Sequence, residues 1–399
     1  MAIEPDTAVI VIAFLAFWGA LYVIGKYGKL DQKGFNIRPF YLVYKTARVD
    51  GILGRLAESK TIWKIFANFS VGLGVILMIA AIGFLANNLY SYFYVKQSFS
   101  EVTVLVPFVT IRNTEVLLYF FLSLPIILVV HEGGHGVISK LEKIKVKSGG
   151  FAVIAALFAG FVEPDEEEFK KAKPISRLRV LGAGSGANVL FSVFVGALLI
   201  TTPAFAFVLP EQVRPSFYGD LVGVPVFDVT AGSGAEKAGL LPNDIITNVK
   251  GVDIRTPADF NRVPLPVGET IGVKVQRNGQ PLTFSVTTTP SPTNASRGAI
   301  GIRHSGQPYY PPKLSLGAQM PREVSAFLFW LWFLSFNIGI FNMLPFYPLD
   351  GDGFFNSLLG TTMSESRRKF IRRTINTLAL GLLLANVLGT FLRSGFITI

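Results

Sequence analysis

The chain has 399 residues and no cysteine. Disulfides and thiolate-held metals are therefore excluded, and any metal site must use other donors. Histidine is nearly as scarce, with three copies: His131, His135 and His304. A motif that uses two of them is hard to reach by chance. Charge is also thin. Only 16% of residues are charged against 50% hydrophobic, and the mean hydropathy is +0.48. That balance excludes an ordinary soluble globule and a disordered chain, and it fits a protein of the lipid bilayer. The net charge of +11 would suit nucleic acid. No basic run interleaves with a recognition motif, so nucleic acid is not an expected partner. The basic residues sit instead in segments that border apolar runs.

Six apolar runs are long enough to cross a bilayer as helices: Thr7 to Ile24, Ala67 to Tyr90, Val116 to Ile138, Val180 to Phe207, Val324 to Leu349 and Ile375 to Phe391. The N-terminal flank of the first carries Glu4 and Asp6 and no basic residue, so it reads as an anchor and not a cleaved leader. Lysine and arginine concentrate between Lys26 and Lys64, between Lys140 and Arg179, and between Arg367 and Arg373. In a six-span chain these segments share one side. The positive-inside rule makes that side cytoplasmic and puts both termini outside.

The longest polar insertion, from about Val213 to Tyr309, alternates apolar and polar residues in "VPVFDV", "IGVKVQ" and "LTFSVTTT". It reads as a small β-rich domain outside the cell. The apolar part of Gly149 to Phe169 is too short to span, so a re-entrant or interfacial element is expected there. The aromatic and basic stretch "FNIRPFYLVYKTAR" suggests an interfacial segment. The fold expected is an α-helical polytopic membrane protein with an inserted α+β domain. Residues 1–212 carry four spans, 213–309 form the extracytoplasmic domain, and 310–399 carry two spans.

The third run contains "HEGGH", His131 to His135. On a helix the two histidines lie one turn apart on one face, and two neutral imidazoles can share one Zn²⁺. Glu132 is placed to act on water as general base. The metal would lower the pKa of water and polarise a scissile carbonyl. A catalytic zinc needs a third protein ligand. His304 falls on the opposite side of the membrane in this topology. Glu163, Asp165, Glu166, Glu167 and Glu168 form a run that reads as a solvated face. Asp350 and Asp352 remain, in "FNMLPFYPLDGDG" at the cytoplasmic end of the fifth run and at the depth of the histidines. A proton path or ion pathway through a transporter is the rival use of such a cluster.

These motifs resemble the site-2 proteases, intramembrane zinc metalloproteases. That family pairs HExxH with N-x-x-P-x-x-x-L-D-G in a later helix, matched here by Asn342 to Gly351. The resemblance implies His131, His135 and Asp350 as zinc ligands and Glu132 as catalytic base, with one Zn²⁺ per chain. A third element is the glycine-rich start of the helix after HExxH, here Gly182 to Asn188, with Ser185 where the family usually has proline. Asn188 then faces substrate or an oxyanion, or bonds between helices. Asn342 either holds an extended substrate or caps the helix broken near Pro345.

"VFDVTAGSGAEKAGLLPNDIITNVKGVDI" resembles the PDZ domains of membrane and periplasmic proteases, with Gly234 for the usual proline and Asn243 for a glycine. Asn243 tolerates a left-handed turn. Such domains take peptide ends by strand addition. The expected partners are single-pass membrane proteins, cut within their transmembrane segments in regulated intramembrane proteolysis, signalling or transcription-regulating proteins among them. The expected location is the cell membrane, with the active site near the cytoplasmic side. A metal or ion transporter and an inactive PDZ-bearing adaptor are the alternatives.

Overall fold

Each apolar run becomes a helix, but the polar flanks and prolines decide where the helices end. The computed structural model describes residues 5–155, 157–292, 294–304, 306–314, 320–360, 363–395 and 397. The first helix, α1, is Pro5–Tyr27. A short helix α2 (Val49–Leu56) precedes α3 (Lys60–Tyr94) and α4 (Thr114–Leu141). The side chain of Asn113 caps α4 by accepting from the amides of Glu115 and Val116.

The two segments read as interfacial or re-entrant fold together as a β-sheet. Strands β1 (Phe35–Arg38), β2 (Tyr41–Thr46), β3 (Val146–Ile154) and β4 (Leu157–Pro164) pair antiparallel in that order. The β2–β3 register runs from Tyr41 opposite Ile154 to Thr46 opposite Gly149. β4 is an edge strand. Its end is tied down by Glu163, which accepts from the Ser148 hydroxyl at 2.7 Å and pairs with Lys45. The Lys45 ammonium and the Ser148 hydroxyl hold the Glu163 carboxyl below the usual carboxylate range. Helix α5 (Glu166–Lys171) follows, capped by Asp165. Glu163 and Asp165 thus have local structural partners. α6 is Pro174–Leu199 and ends eight residues before the apolar run does.

Residues 197–325 form a separate compact unit, wider than the expected 213–309. It holds the helices α7 (Arg214–Phe217), α8 (Gly234–Ala238) and α9 (Pro257–Arg262). Its strands are β5 (Val224–Val229), β6 (Ile245–Val249), β7 (Val252–Asp253), β8 (Thr270–Arg277), β9 (Gln280–Thr287), β10 (Thr289–Pro290), β11 (Gly298–Ala299) and β12 (Ile302–His304). The main sheet has the order β12-β5-β6-β8-β9, with β7 on β6, and β10 pairs β11. Alternate residues of β5, β6, β8 and β9, among them Val224, Ile246, Val273 and Val286, close one apolar core. The flanks join because Tyr218 bridges to Pro312, Gly223 bridges to Tyr309, and the Tyr218 hydroxyl donates to the Thr202 carbonyl at 2.9 Å.

The chain ends with α10 (Arg322–Phe341), α11 (Asp350–Leu358) and α12 (Glu365–Ser394). Pro345 and Pro348 lack the amide hydrogens a helix needs, so α10 stops well before Leu349. Buried Asn386 of α12 bonds Asn88 and the Leu85 carbonyl of α3, at 2.9 and 3.0 Å. Such amides join helices where solvent is apolar. Among the described residues, α3, α4, α6, α10 and α12 are long and apolar enough to cross a membrane, and α1 adds a shorter apolar stretch, Phe14–Tyr27.

Candidate active site

His131 and His135 project from the same face of α4, with ring centroids 4.8 Å apart. Both are buried. The Nδ1–H of His135 donates to the Val180 carbonyl of α6 at 2.7 Å, which leaves Nε2 as its free donor. Small residues make room for this. A Cβ at Gly134 would stand 2.6 Å from the Ala183 carbonyl oxygen. One at Gly184 would stand 2.3 Å from His135 Nε2. The glycines therefore let α4 and α6 close around the imidazoles.

Asp350 reaches them from the first turn of α11. The loop behind it is held by the Gly351 amide, which donates to the Asn342 carbonyl at 2.9 Å. A Cβ at Gly351 would lie 2.3 Å from the Met343 carbonyl, so the glycine after Asp350 is a packing requirement. Asp350 Oδ2 stands 3.1 Å from His131 Nε2 and 2.9 Å from His135 Nε2, and the two Nε2 atoms are 3.2 Å apart. Donor atoms of all three residues lie within 4.8 Å of one another.

Two imidazole nitrogens and one carboxylate oxygen form a donor set suited to zinc, with the fourth position left for chemistry. Around a tetrahedral ion with bonds of about 2.0–2.2 Å, such donors stand about 3.3–3.6 Å apart. The three donor atoms, 2.9 to 3.2 Å apart, fall a little short of that range, so a small outward shift would seat the ion.

Asp352, the other aspartate of the motif, points away. Arg372 of α12 grips it with two bonds, Nε at 2.7 Å and Nη2 at 2.5 Å, and Asn376 donates to it at 3.0 Å. Asn376 also donates to the Pro345 carbonyl at 2.9 Å. Asp352 is thus a clamp on the loop that presents Asp350. Arg372→Ala is expected to leave zinc content unchanged and to lower stability by roughly 1–2 kcal/mol, since the arginine end is partly solvated. Thermal unfolding in detergent reads this as a fall in midpoint.

Glu132 follows His131 on α4, and its Oε2 accepts from the backbone amide of Val162 in β4 at 2.8 Å. Asn342 Nδ2 lies 2.6 Å from Asp350 Oδ2 and 3.0 Å from His131 Nε2, next to the ligand set. Of the two uses expected for it, facing substrate or bonding between helices, Asn188 shows the second. It is 0% exposed and sits behind the ring, with Nδ2 3.1 Å from His131 Nδ1. His304 lies in β12 with its ring 5.8 Å from Phe260, outside the cluster. The Val162 amide was not readable from residue types, because every residue except proline carries one.

Comparison with known proteins places this geometry. The model of peptidase family M50 matches residues 119–386, more than half of the chain. An uncharacterized protein of Methanocaldococcus jannaschii is 25% identical over 63% of this chain and 60% of its own. A probable chloroplast membrane metalloprotease of Arabidopsis thaliana is 28% identical over 50% of this chain and 48% of its own. A Clostridium perfringens protein provisionally named as a zinc metalloprotease is 23% identical over 67% of this chain and 95% of its own. The chain thus spans about half to three fifths of the first two relatives. The PDZ domain of an SdrC-like protein from Listeria monocytogenes matches at 20% identity over 22% of this chain and 92% of that one, with a TM-score of 0.20. With the HExxH helix and the Asn342–Gly351 loop both inside the matched span, the chain belongs to peptidase family M50, the site-2 family of membrane metalloproteases.

Proposed function

We propose that this protein is an intramembrane zinc endopeptidase that cuts transmembrane segments of single-pass membrane proteins. One observation carries the reading: Asp350 of α11 converges on His131 and His135, which share an apolar helix with Glu132. His131, His135 and Asp350 would hold the ion. Bound zinc supplies a Lewis acid that polarises a carbonyl and lowers the pKa of water. Glu132 accepts the proton from water and returns it to the leaving amine. The Asn342 amide stands beside the ligands, where it can donate to the oxyanion.

A transmembrane helix shields its own carbonyls, so a substrate must unwind locally before attack. Edge strand β4 offers unpaired backbone groups to the unwound segment. The same strand holds the base through the Val162 amide. Val162→Pro removes that N–H at an edge position, where proline is tolerated. The expected result is a fall in kcat on the order of tenfold to a hundredfold, with zinc content unchanged. Single-turnover cleavage of a reporter checks it, and an unchanged rate would show that the base needs no strand.

The basic segments support a topology with both termini and the PDZ-like unit outside and the site near the cytoplasmic face. The PDZ-like unit would then exclude bulky ectodomains or hold newly made C-termini, and the cytoplasmic fragment would leave. The deciding experiment measures zinc and cleavage together on purified protein in vesicles. About one zinc per chain with cleavage of a membrane-embedded reporter is expected. Metal flux across the vesicle without cleavage would overturn the reading.

A further inference from the structure

We infer that Asn188 is a positioning residue for the metal site: its side-chain carbonyl holds the Nδ1 proton of His131 and so keeps Nε2 turned to the ion. The inference rests on the zinc reading above, and the experiment below separates the two.

His131 and His135 both face the common centre through Nε2. A neutral imidazole that gives Nε2 to a metal carries its proton on Nδ1, and a buried N–H needs an acceptor. For His135 that acceptor is the Val180 carbonyl. For His131 the polar neighbour at Nδ1 is the Asn188 carboxamide, at 3.1 Å. The carboxamide presents its nitrogen to the ring, and its oxygen is buried with no partner. Around a metal-holding His131 that arrangement sets two donors against each other and strands an acceptor. A half-turn about the terminal bond exchanges oxygen and nitrogen without moving the rest of the side chain. The oxygen then accepts from Nδ1–H, so the opposed donors are separated and the buried acceptor is satisfied, while the amide nitrogen takes the oxygen's former place.

The surroundings favour this role over substrate contact. Asn188 is fully buried, and its backbone carbonyl accepts from the Ser335 hydroxyl of α10 at 3.0 Å. Among the described residues its side chain has no hydrogen-bond partner besides His131. The two ligand histidines therefore use different devices for one task. A backbone carbonyl serves His135, and a side-chain carbonyl serves His131. Only the second can be removed by substitution.

The test compares wild type, Asn188→Leu and Asn188→Asp, each as the full chain in detergent. Zinc retention is measured against rising chelator concentration. Asn188→Leu removes the acceptor and is expected to lose zinc at chelator levels about 10–100-fold lower. Asn188→Asp restores an acceptor and is expected to hold zinc as wild type does. Selective ¹⁵N-histidine labelling adds a second readout, since the chain has three histidines to assign. Zinc-loaded wild type should show protonated, slowly exchanging Nδ1 on both ligand histidines. In Asn188→Leu only the His131 signal should lose its protection.

Wild-type retention by a folded Asn188→Leu overturns the inference. So does an Asn188→Asp that fails as badly as the leucine variant, which would mark Asn188 as packing. Should the leucine variant not fold, the wild-type spectrum decides: an unprotonated or freely exchanging His131 Nδ1 overturns it. A wild type that binds no zinc sinks the metal reading itself, and this inference with it.

Discussion

Glu132→Gln is expected to abolish cleavage of a membrane-embedded reporter while the purified chain keeps its zinc. Glutamine has the shape of glutamate and retains a carbonyl oxygen that can accept from the Val162 amide, the bond that Glu132 Oε2 makes at 2.8 Å. The His131, His135 and Asp350 group that could hold a metal does not include Glu132, so the proposed ligand set is untouched. What is lost is the basic oxygen. A positioned general base contributes roughly 10²–10⁴ in rate, so residual turnover should fall to about 1% or less. Zinc analysis and single-turnover cleavage on the same preparation check both halves. Retained cleavage would remove Glu132 from the base position. A transporter would keep its metal flux in this variant, and an adaptor would have no turnover to lose. The variant also keeps its substrate path intact. Substrates held by it in membranes and recovered for mass spectrometry would then name the natural targets.

The candidate metal centre is legible in the sequence because a metal imposes local chemistry. Two imidazoles one turn apart and an acid next to the first are written into five consecutive residues. Asp350 is legible through its neighbours, since Gly351 must pass within reach of the Met343 carbonyl. Asn243 likewise adopts the left-handed conformation that its place in the PDZ-like motif implies, with φ +73. What escapes is whatever depends on distant pairing or on backbone groups. Phe35–Thr46 has the aromatic and basic composition of an interfacial segment, yet its second half, Tyr41–Thr46, pairs with Gly149–Ile154, about a hundred residues away in sequence, and Phe35–Arg38 pairs with that half. Strand alternation and interfacial amphipathicity give the same residues, and only the partner strand decides between them. The second nitrogen of each histidine is also silent in the sequence. Its acceptor is a backbone carbonyl for His135, and for His131 an asparagine 57 positions on. The end of α10 departs from the end of the apolar run for a simpler reason: the run continues through Pro345 and Pro348, but the helix cannot.

Asp350→Asn should strip the site of zinc, and Asp352→Asn should not. The two aspartates are two residues apart and both lie in the first turn of α11, so the pair controls for position, helix and charge. Their surroundings differ. Asp350 Oδ2 faces two imidazole nitrogens at 2.9 and 3.1 Å, whereas Asp352 is held by Arg372 and Asn376. Replacing the one anionic ligand by a neutral amide is expected to cost on the order of 3–5 kcal/mol of metal binding, a loss of a few hundred- to a few thousand-fold in Kd. The asparagine variant should therefore purify nearly free of zinc and show no cleavage at any pH. In Asp352→Asn the ligands stay in place. Zinc should remain near one per chain, and the effect should appear as a lower thermal midpoint, because a buried ion pair becomes a weaker neutral contact. Metal content and unfolding midpoint on the two proteins separate the roles. Zinc lost from Asp352→Asn and kept by Asp350→Asn would reverse the assignment of third ligand and clamp. Zinc kept by both would mean that His131 and His135 hold it with some other group, and the convergence at Asp350 would no longer explain the centre.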